Sequence, residues 1–383
     1  MTYRWQDVLD ADGDFYVPSD LWQALNASMT QDAIIDLFQE AVENTGMPFP
    51  FREIPLEVAV GDFKRLRYFN AGDLVSVGPW KTGYDYRYGK SDVSLKQSNV
   101  GLISSDYFHQ QHRRLCDNNT RGAGAKAWQS KATRREIFKP LWTMKMTQVT
   151  PREIRSCSGL RTYVAAQFRP TVAKYIYERF GGGRVLDFSA GWGDRLSAAL
   201  ATNVVTHYTG IDPNTNLHPG YQSQIQAYNR NLDGDFFDWF GEFTLKTIHM
   251  IHSPAEDADL SGEGMFDLVF TSPPYFDKEY YSEESTQSYI RYPTSDGWLS
   301  GFLFPVLQKV WGVLKPGGHL CVNIVDIKNF NPTRRVEICD PMNDFVGGLP
   351  GARYRGSIGM KMKVRPNLDS EEFCEPIWVW QKE

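Results

Sequence analysis

The tetrapeptide Ser272-Pro273-Pro274-Tyr275 has the residue types best suited to chemistry in this sequence. Two consecutive prolines fix φ and lack N–H donors, so the carbonyl groups of this loop are held outward. The Ser272 hydroxyl and the Pro273 carbonyl can then accept hydrogen bonds from both protons of a ring-bound amino group, which favours a pyramidal nitrogen with a free lone pair. Tyr275 offers a face for base stacking, a contact worth roughly 1–3 kcal/mol. The tetrapeptide predicts a site that activates an amino nitrogen, and a plain Pro-Pro turn is the alternative.

A second group of residues predicts a nucleotide-like ligand. In the turn Asp187-Phe188-Ser189-Ala190-Gly191-Trp192-Gly193, the two glycines let the backbone bend tightly and approach a ligand. The N-terminus of the helix that follows suits an anionic or polar group. Asp212 ends the next predicted strand, where an acid can accept both hydroxyls of a ribose, as it also does in nicotinamide-dependent enzymes. Ser253-Pro254-Ala255-Glu256-Asp257 then offers a side chain to an adenine edge.

The elements that must position these residues alternate between strands and helices from about residue 160. This alternation predicts an α/β fold with a parallel sheet, in which the carboxyl ends of the strands meet at one edge. The strands are predicted at 184–188, 207–212, 247–251, 266–271 and 319–325, and the helices at 170–180, 195–201, 221–230 and 298–313. An antiparallel pair at 354–362 and 376–381 is predicted to finish the sheet.

Residues 160–330 resemble the amino-methyltransferase branch of the S-adenosylmethionine (SAM)-dependent methyltransferases, the DNA N4-cytosine and N6-adenine enzymes. The family's glycine motif, ribose acid and catalytic tetrapeptide match the residues above, and Leu314-Lys315-Pro316-Gly317-Gly318 matches the turn before its fifth strand. The resemblance implies a Rossmann-like methyltransferase fold with a seven-stranded, mostly parallel sheet. It also implies catalysis by Ser272, Pro273, Pro274 and Tyr275 without a metal, and SAM binding by Arg169, Pro170, Asp187, Ser189, Ala190, Gly191, Gly193, Asp212, Pro213, Glu256 and Asp257.

The first residue of the tetrapeptide bears on the target base. Serine there resembles the cytosine-N4 group, whereas Asp or Asn resembles the adenine-N6 group and several RNA and protein methylases. The expected function is methyl transfer to cytosine N4 of DNA. The alternatives are adenine N6 of DNA, an amino group on RNA, a nucleotide or another small molecule, and a non-catalytic nucleic-acid-binding protein with this fold. Two departures from the family are Phe188-Ser189 in place of Pro-Phe, and Trp192, which is predicted to cover the cofactor or narrow its pocket.

Charge is distributed unevenly although the formal net charge is only −5. The segment 105–184 has 16 Lys and Arg against 5 Asp and Glu, whereas 254–300 has ten acids and two bases. A phosphate backbone would be attracted to the first segment, so nucleic acid is the expected partner; a solvated basic face is the alternative. Phe276 to Pro293, acidic and rich in Tyr and Ser, is interpreted as a mobile lid rather than a packed element.

The remaining features set the class of protein. We expect an α+β accessory domain over residues 1–150, with a helix through Ile34 to Val42, and the methyltransferase domain over 151–383. The five scattered cysteines predict neither a disulfide framework nor a zinc site. His109 and His112 are interpreted as surface residues of a helix. No run of roughly 20 apolar residues is present and no secretory signal is recognised, so we expect a cytoplasmic protein without membrane contact. The sequence does not indicate an oligomeric state.

Overall fold

The computed structural model describes residues 2–230, 245–328, 335–362 and 373–383. Its helices are α1 Ser19–Ser28, α2 Gln31–Thr45, α3 Leu56–Tyr68, α4 Leu102–Arg113, α5 Gly124–Trp128, α6 Lys131–Phe138, α7 Pro140–Thr143, α8 Pro151–Arg161, α9 Pro170–Phe180, α10 Asp194–Ala201, α11 His218–Tyr228, α12 Ser288–Arg291, α13 Ser295–Trp298, α14 Phe304–Gly312 and α15 Cys339–Gly347. Its strands are β1 Val75–Val77, β2 Val93–Leu95, β3 Asp117–Asn118, β4 Arg184–Asp187, β5 His207–Asp212, β6 Thr247–His252, β7 Phe266–Thr271, β8 Glu279–Tyr280, β9 Leu314–Asn323, β10 Ile327–Lys328, β11 Arg335–Val336, β12 Ala352–Lys361 and β13 Cys374–Lys382.

The chain divides into two compact units, and the division differs from the predicted single boundary near residue 150. The first unit comprises Met1–Glu53 and Gln110–Ala166, and the second comprises Ile54–His109 and Gln167–Glu383. Residues 54–109 therefore belong with the sheet, since they supply two of its strands.

The first unit is built mainly of helices rather than being the predicted α+β domain. The predicted helix through Ile34 to Val42 is α2, in which the Thr30 side chain accepts a hydrogen bond from the Ala33 N–H at 3.3 Å. Its apolar face packs in a core centred on aromatic rings, with the centroid of Phe38 5.5 Å from that of Phe138. The sequence pattern therefore predicted the helix but not the character of the unit around it.

The second unit contains a nine-stranded sheet in the order β1-β2-β12-β13-β9-β7-β4-β5-β6. From β6 to β9 all neighbouring strands are parallel, and β13 runs antiparallel between β9 and β12. The order of the parallel strands, with β13 reversed beside them, confirms the predicted α/β, Rossmann-like methyltransferase fold; the edge strand β1 is also reversed, since it pairs antiparallel with β2. The predicted seven strands are all present, but the sheet is larger because β2 pairs with β12 and β1 with β2.

Burial explains why the central strands read as apolar runs. Each of β4, β5 and β7 has all but one of its residues buried, since both faces of the sheet are covered. All residues of α10 are also buried. The helix predicted at 298–313 is interrupted: a π-helical turn, Leu299–Leu303, precedes α14. Helix α15 was not predicted.

The parallel strands converge at the edge where ligands bind in folds of this kind. The turn after β4, Asp212 at the end of β5, the segment after β6 and the tetrapeptide after β7 all lie at the carboxyl ends of their strands. Within the described ranges, no helix has the length and apolar character that crossing a membrane requires.

Candidate active site

Asp187, the last residue of β4, is fully buried and surrounded by donors. Arg195 Nε donates to its Oδ2 at 2.7 Å, and Arg195 Nη2 to its Oδ1 at 3.3 Å. Tyr208 Oη donates at 2.8 Å, Thr271 Oγ1 at 2.9 Å and the Ser189 N–H at 3.2 Å. A carboxylate offers about four acceptor positions, and five donors already use them. Asp187 thus anchors the glycine turn from beneath, which is a different role from the predicted direct contact with a cofactor.

The two glycines of the turn are required for different reasons. Gly191 and Gly193 both lie in the left-handed region, with φ of 59° and 71°. A Cβ on Gly193 would lie 2.3 Å from Gln224 Oε1, whereas a Cβ on Gly191 would have only the Ser189 carbonyl oxygen nearby, at 3.8 Å. Gly193 is therefore needed for packing as well as for its φ. Gly191 leaves open space beside the backbone.

The rest of the turn is tied to its neighbours. The Ala190 N–H donates to the Ile211 carbonyl at 2.9 Å, which holds the turn against β5. Ser189 is half-buried, and Trp192 is buried with its ring edge-on to Tyr281 at a centroid distance of 5.9 Å. The indole therefore covers the turn together with a residue from the segment after the tetrapeptide.

Asp212 places a carboxylate beside the turn. Its Oδ2 accepts from the Gly191 N–H at 2.8 Å and its Oδ1 from the Asn214 N–H at 3.0 Å. Burial raises the pKa of Asp212 to about 6, although these two hydrogen bonds lower it. Each oxygen retains an acceptor position, so the carboxylate can still accept from two further donors such as ribose hydroxyls. The half-buried Pro213 follows, and its carbonyl accepts from Thr286 Oγ1 at 3.5 Å.

Glu256 and Asp257 form ion pairs and are not unpaired acids at the ligand-binding edge of the sheet. Arg291 Nη1 contacts Glu256 Oε1 at 2.8 Å and Asp257 Oδ2 at 2.7 Å. The pKa of Glu256 is raised by burial, and Arg291 opposes that shift. Lys309 Nζ donates to three backbone carbonyls of residues 255–258 at 2.6–3.2 Å and fixes this turn. Both acids, predicted on the adenine side of a cofactor, thus hold α12 in place.

In the tetrapeptide, two hydroxyls converge on one amide oxygen. Ser272 Oγ lies 3.3 Å and Tyr275 Oη 3.2 Å from Oδ1 of Asn323, the last residue of β9. Asn323 is oriented by its own Nδ2, which donates to the Pro376 carbonyl at 3.1 Å. Tyr275 Oη also lies 3.4 Å from Glu375 Oε2. Sequence reasoning missed Asn323 and Glu375; a polar residue ending a predicted strand was a signal for the first, but nothing local singles out the second.

The prolines and the residue after them fix the loop. Pro273 is buried and Pro274 half-buried. Phe276 has φ of 48°, a strained value for a residue with a Cβ, and is only 2% exposed. Its ring packs 6.2 Å from that of Trp298. Burial of the Phe276 ring thus stabilises an unfavourable backbone conformation beside the tetrapeptide.

A charged pair flanks Tyr275. Lys278 Nζ lies 4.6 Å from the centre of the Tyr275 ring. Burial raises the pKa of Tyr275 well above its usual value, the Glu375 carboxylate adds to that shift, and a hydrogen bond from the Ser272 hydroxyl opposes it. The Tyr275 hydroxyl therefore stays protonated and able to donate.

The segment 276–293, predicted as a mobile lid rather than a packed element, is packed in this structure. The Glu284 carboxylate accepts from the Thr215 N–H at 3.2 Å and 3.3 Å. Tyr280 and Tyr289 pack edge to face with centroids 5.1 Å apart, and the segment includes β8 and α12. It covers the edge between Asp212 and the tetrapeptide because its side chains bond to the loops on that edge.

Arg169 and Pro170 begin α9, with Pro170 buried at its first position and Arg169 half-buried. Arg169 Nη1 donates to Asn99 Oδ1 at 2.9 Å. Burial lowers the pKa of Arg169, and the charge of Asp194, the first residue of α10, opposes that shift. The guanidinium thus lies within electrostatic reach of the end of the glycine turn.

The basic segment 105–184 is divided between the two units. Its excess of positive charge therefore need not form a single surface. Among the described residues, at least six of its cations pair with carboxylates of their own unit: Lys126, Lys131, Arg134, Arg135, Lys139 and Lys174. Residues that remain exposed include Lys145, Arg152 and Arg161 in the first unit. Fewer charges are available to a phosphate backbone than the composition suggests.

His109 corrects one interpretation from the sequence. It is fully buried rather than on the surface, with Nε2 3.2 Å from Gln224 Oε1, while burial lowers the pKa of the half-buried His112. No group of three or more His, Cys, Asp or Glu suited to a metal ion occurs among the described residues. The five cysteines are buried free thiols.

No protein-family model and no curated protein matches the sequence. Several solved structures are similar in structure to part of this chain. They include the N-terminal domain of EvdMO1 with SAH bound (11% identity, 57% of this chain and 82% of that chain, TM-score 0.34). An rRNA methylase from Streptococcus thermophilus (12%, 57% and 99%, TM-score 0.32) and a methyltransferase from Pyrococcus furiosus (16%, 56% and 82%, TM-score 0.33) are similar to a comparable degree. At these values the likenesses carry no functional argument, and the fold assignment follows from the order and direction of the strands.

Proposed function

We propose that this protein is a SAM-dependent methyltransferase acting on an exocyclic amino nitrogen of a nucleic-acid base. The observation that carries the proposal is the convergence of the Ser272 and Tyr275 hydroxyls on Asn323 at the sheet edge that also holds Gly191 and Asp212. Ligand and reactive group must meet at one edge for transfer to occur, and the resemblance of the tetrapeptide to amino-methyltransferases supports this use of it.

The chemistry of the donor and acceptor groups fits SAM. Asp212 has acceptor positions left for ribose hydroxyls, and the backbone at Gly191 is approachable because no side chain fills the space beside it. Arg169 is a cation near the end of the turn and suits the carboxylate of an amino acid. When bound, SAM supplies an electrophilic methyl group on a sulfonium sulfur.

The side chains of this chain supply positioning and hydrogen bonding. Ser272 Oγ and the Pro273 carbonyl hold the amino group, and the prolines keep that loop rigid. Tyr275 stacks on the base, with its hydroxyl fixed by Asn323. The segment 276–293 and Trp192 exclude water from the edge. Holding both reactants in a near-attack geometry accounts for a large part of the rate enhancement in such reactions.

As the substrate we propose cytosine N4 of DNA, with the base flipped out of the stack if the DNA is duplex. A serine hydroxyl can both donate and accept, so it can serve the amino group and the ring edge of cytosine. Exposed cations of the first unit, such as Lys145, Arg152 and Arg161, would contact phosphates.

The proposal is tested in two steps. Isothermal titration with SAM should show binding to the wild type and much weaker binding to Asp212→Asn. Incubation with labelled SAM and single-stranded DNA, duplex DNA or RNA, followed by mass spectrometry of the nucleosides, should then show N4-methylcytosine. Pro273→Ala and Tyr275→Ala should abolish it, and Tyr16→Ala, which changes an exposed tyrosine of the first unit, should not.

Each contrary result has a defined meaning. N6-methyladenine would move the target to adenine, and labelled RNA alone would move the substrate class. Absence of SAM binding would refute the proposed activity and leave a non-catalytic protein with this fold.

A further inference from the structure

Glu375 brings a carboxylate to the tetrapeptide from the far end of the chain. Strand β13 runs antiparallel to β9, with Ile377 opposite Asn323, so Glu375 lies just beyond the carboxyl end of β9. Its Oε2 is 3.4 Å from Tyr275 Oη. Burial raises the pKa of Glu375, while Lys278 and the Tyr275 hydroxyl oppose the shift. Among the described residues, Lys278 and Tyr275 are the titratable groups that shift the pKa of Glu375.

The Ser272 and Tyr275 hydroxyls, which share Asn323 Oδ1, lie between the amino-group position and this carboxylate. Burial raises the pKa of Tyr275, the Ser272 hydroxyl opposes that shift as a donor to the Tyr275 oxygen, and the Tyr275 hydroxyl faces Glu375 Oε2 at 3.4 Å. Asn323 Oδ1 lies 3.2–3.3 Å from both hydroxyl oxygens and keeps them side by side. The contact of 3.4 Å to Glu375 is longer than a formed O–H···O bond of about 2.7–2.8 Å. Catalytic hydrogen bonds are often long before substrate binds and shorten in the complex.

Amino-group methylation requires such a path because a proton must leave the nitrogen. The nitrogen lone pair forms the N–C bond while the methyl–sulfur bond breaks with its electron pair on sulfur, so the nitrogen becomes positively charged. One of its protons must then pass to an acceptor. Serine and tyrosine hydroxyls can relay a proton only if a base stands at the end, and Asn323 has none to offer.

We infer that Glu375 receives the proton that the amino nitrogen loses, through Ser272 and Tyr275. The nitrogen proton passes to Ser272 Oγ, the serine proton to Tyr275 Oη and the tyrosine proton to Glu375 Oε2, leaving both hydroxyls neutral. This inference rests on the proposed function. Glu375 does not touch the substrate and acts through Tyr275, so it is a positioning residue in the proposed reaction.

The test compares Glu375→Gln, which keeps the side-chain shape and an acceptor oxygen but not the basicity, with Tyr275→Phe, which keeps the stacking ring. The probe is random-sequence single-stranded and duplex DNA with labelled SAM. General-base catalysis typically contributes roughly 10²–10⁴-fold, so each variant should lower kcat by about a hundredfold with KM for DNA nearly unchanged. The double variant should be no slower than either single variant, because both interrupt one path. Glu383→Gln, an exposed glutamate directly after the other end of the same strand, is the matched control.

The pH profile separates proton acceptance from support of the tyrosine. Wild-type kcat should rise with pH as Glu375 ionises, and this limb should be missing in Glu375→Gln. Without any ligand, the melting temperature supplies a second readout. The raised pKa means that Glu375 favours the folded state below its unfolded pKa and loses that contribution as pH rises through the folded value. The melting temperature of Glu375→Gln should lack this decline.

Different measurements would contradict the proton relay and the proposed methyltransferase activity. A wild type that methylates DNA while Glu375→Gln keeps the wild-type kcat and pH limb would overturn the relay alone. An additive loss in the double variant would do the same. A wild type that binds no SAM or methylates no DNA would overturn the proposed function, and the relay with it.

Discussion

Replacing Asp187 with asparagine should destabilise the second unit by about 3–5 kcal/mol, the usual cost of removing one partner of a buried ion pair. The side chains of Asp187 and Arg195 are 0% and 5% exposed, so water cannot solvate the arginine charge that is left behind. Tyr208 and Thr271 would also lose a charged acceptor. The loss should lower the melting temperature by roughly 6–20 °C, at about 2–4 °C per kcal/mol for a domain of 150–250 residues.

The assay is thermal and guanidinium denaturation followed by tryptophan fluorescence. Asp344→Asn is the matched control, because Asp344 pairs with Arg87 at the surface and exposed pairs contribute little. Adding Arg195→Met to Asp187→Asn should recover part of the loss, since it removes the uncompensated charge. A loss for Asp187→Asn below about 1 kcal/mol, or a double variant less stable by the full sum of the two changes, would show that the pair does not anchor the turn.

Three further predictions concern the same edge. Gly193→Ala should cost about 2–5 kcal/mol in denaturant unfolding, because φ is 71° and the new Cβ would lie 2.3 Å from Gln224 Oε1; an unchanged midpoint would contradict the packing argument. Burial raises the pKa of Asp212 to about 6, so SAM affinity measured by titration calorimetry should weaken as pH falls below about 6, and Asp212→Asn should show no such pH dependence. Arg291→Met should speed limited proteolysis within 276–293, since it releases both carboxylates of the turn; wild-type cleavage rates would show that packing alone holds the segment.

The local pattern of the chain was sufficient to predict the core of the second unit. Helix α9 has the bounds expected from its apolar stripe, and β5 and β7 coincide with the predicted strands. The same pattern predicted that the motifs meet, because parallel strands place their carboxyl ends on one edge. These features depend on residues close together in sequence.

Pairings between distant segments could not be predicted in the same way. Strand β2 joins the sheet beside β12 through residues 94–95 and 359–360. Neither short segment contains a sequence pattern that indicates which strand it pairs with. Asp187 reads as a ligand-binding acid until Tyr208 and Thr271 are found on the same carboxylate. In the sequence, the cations of the basic segment likewise have no evident acidic partners, because folding brings several of those partners from distant segments.

The sequence by itself determined the Ser272-Pro-Pro-Tyr275 loop, the glycine turn and the acid ending β5, because these depend on residue type and local backbone conformation. Only the tertiary structure decided what the loop contacts. Asn323 is 51 residues and Glu375 100 residues from their partners in the tetrapeptide. Their approach follows from β13 lying antiparallel beside β9. Register between distant strands is set by the packing of the whole sheet, so the carboxylate beside Tyr275 has no local signature.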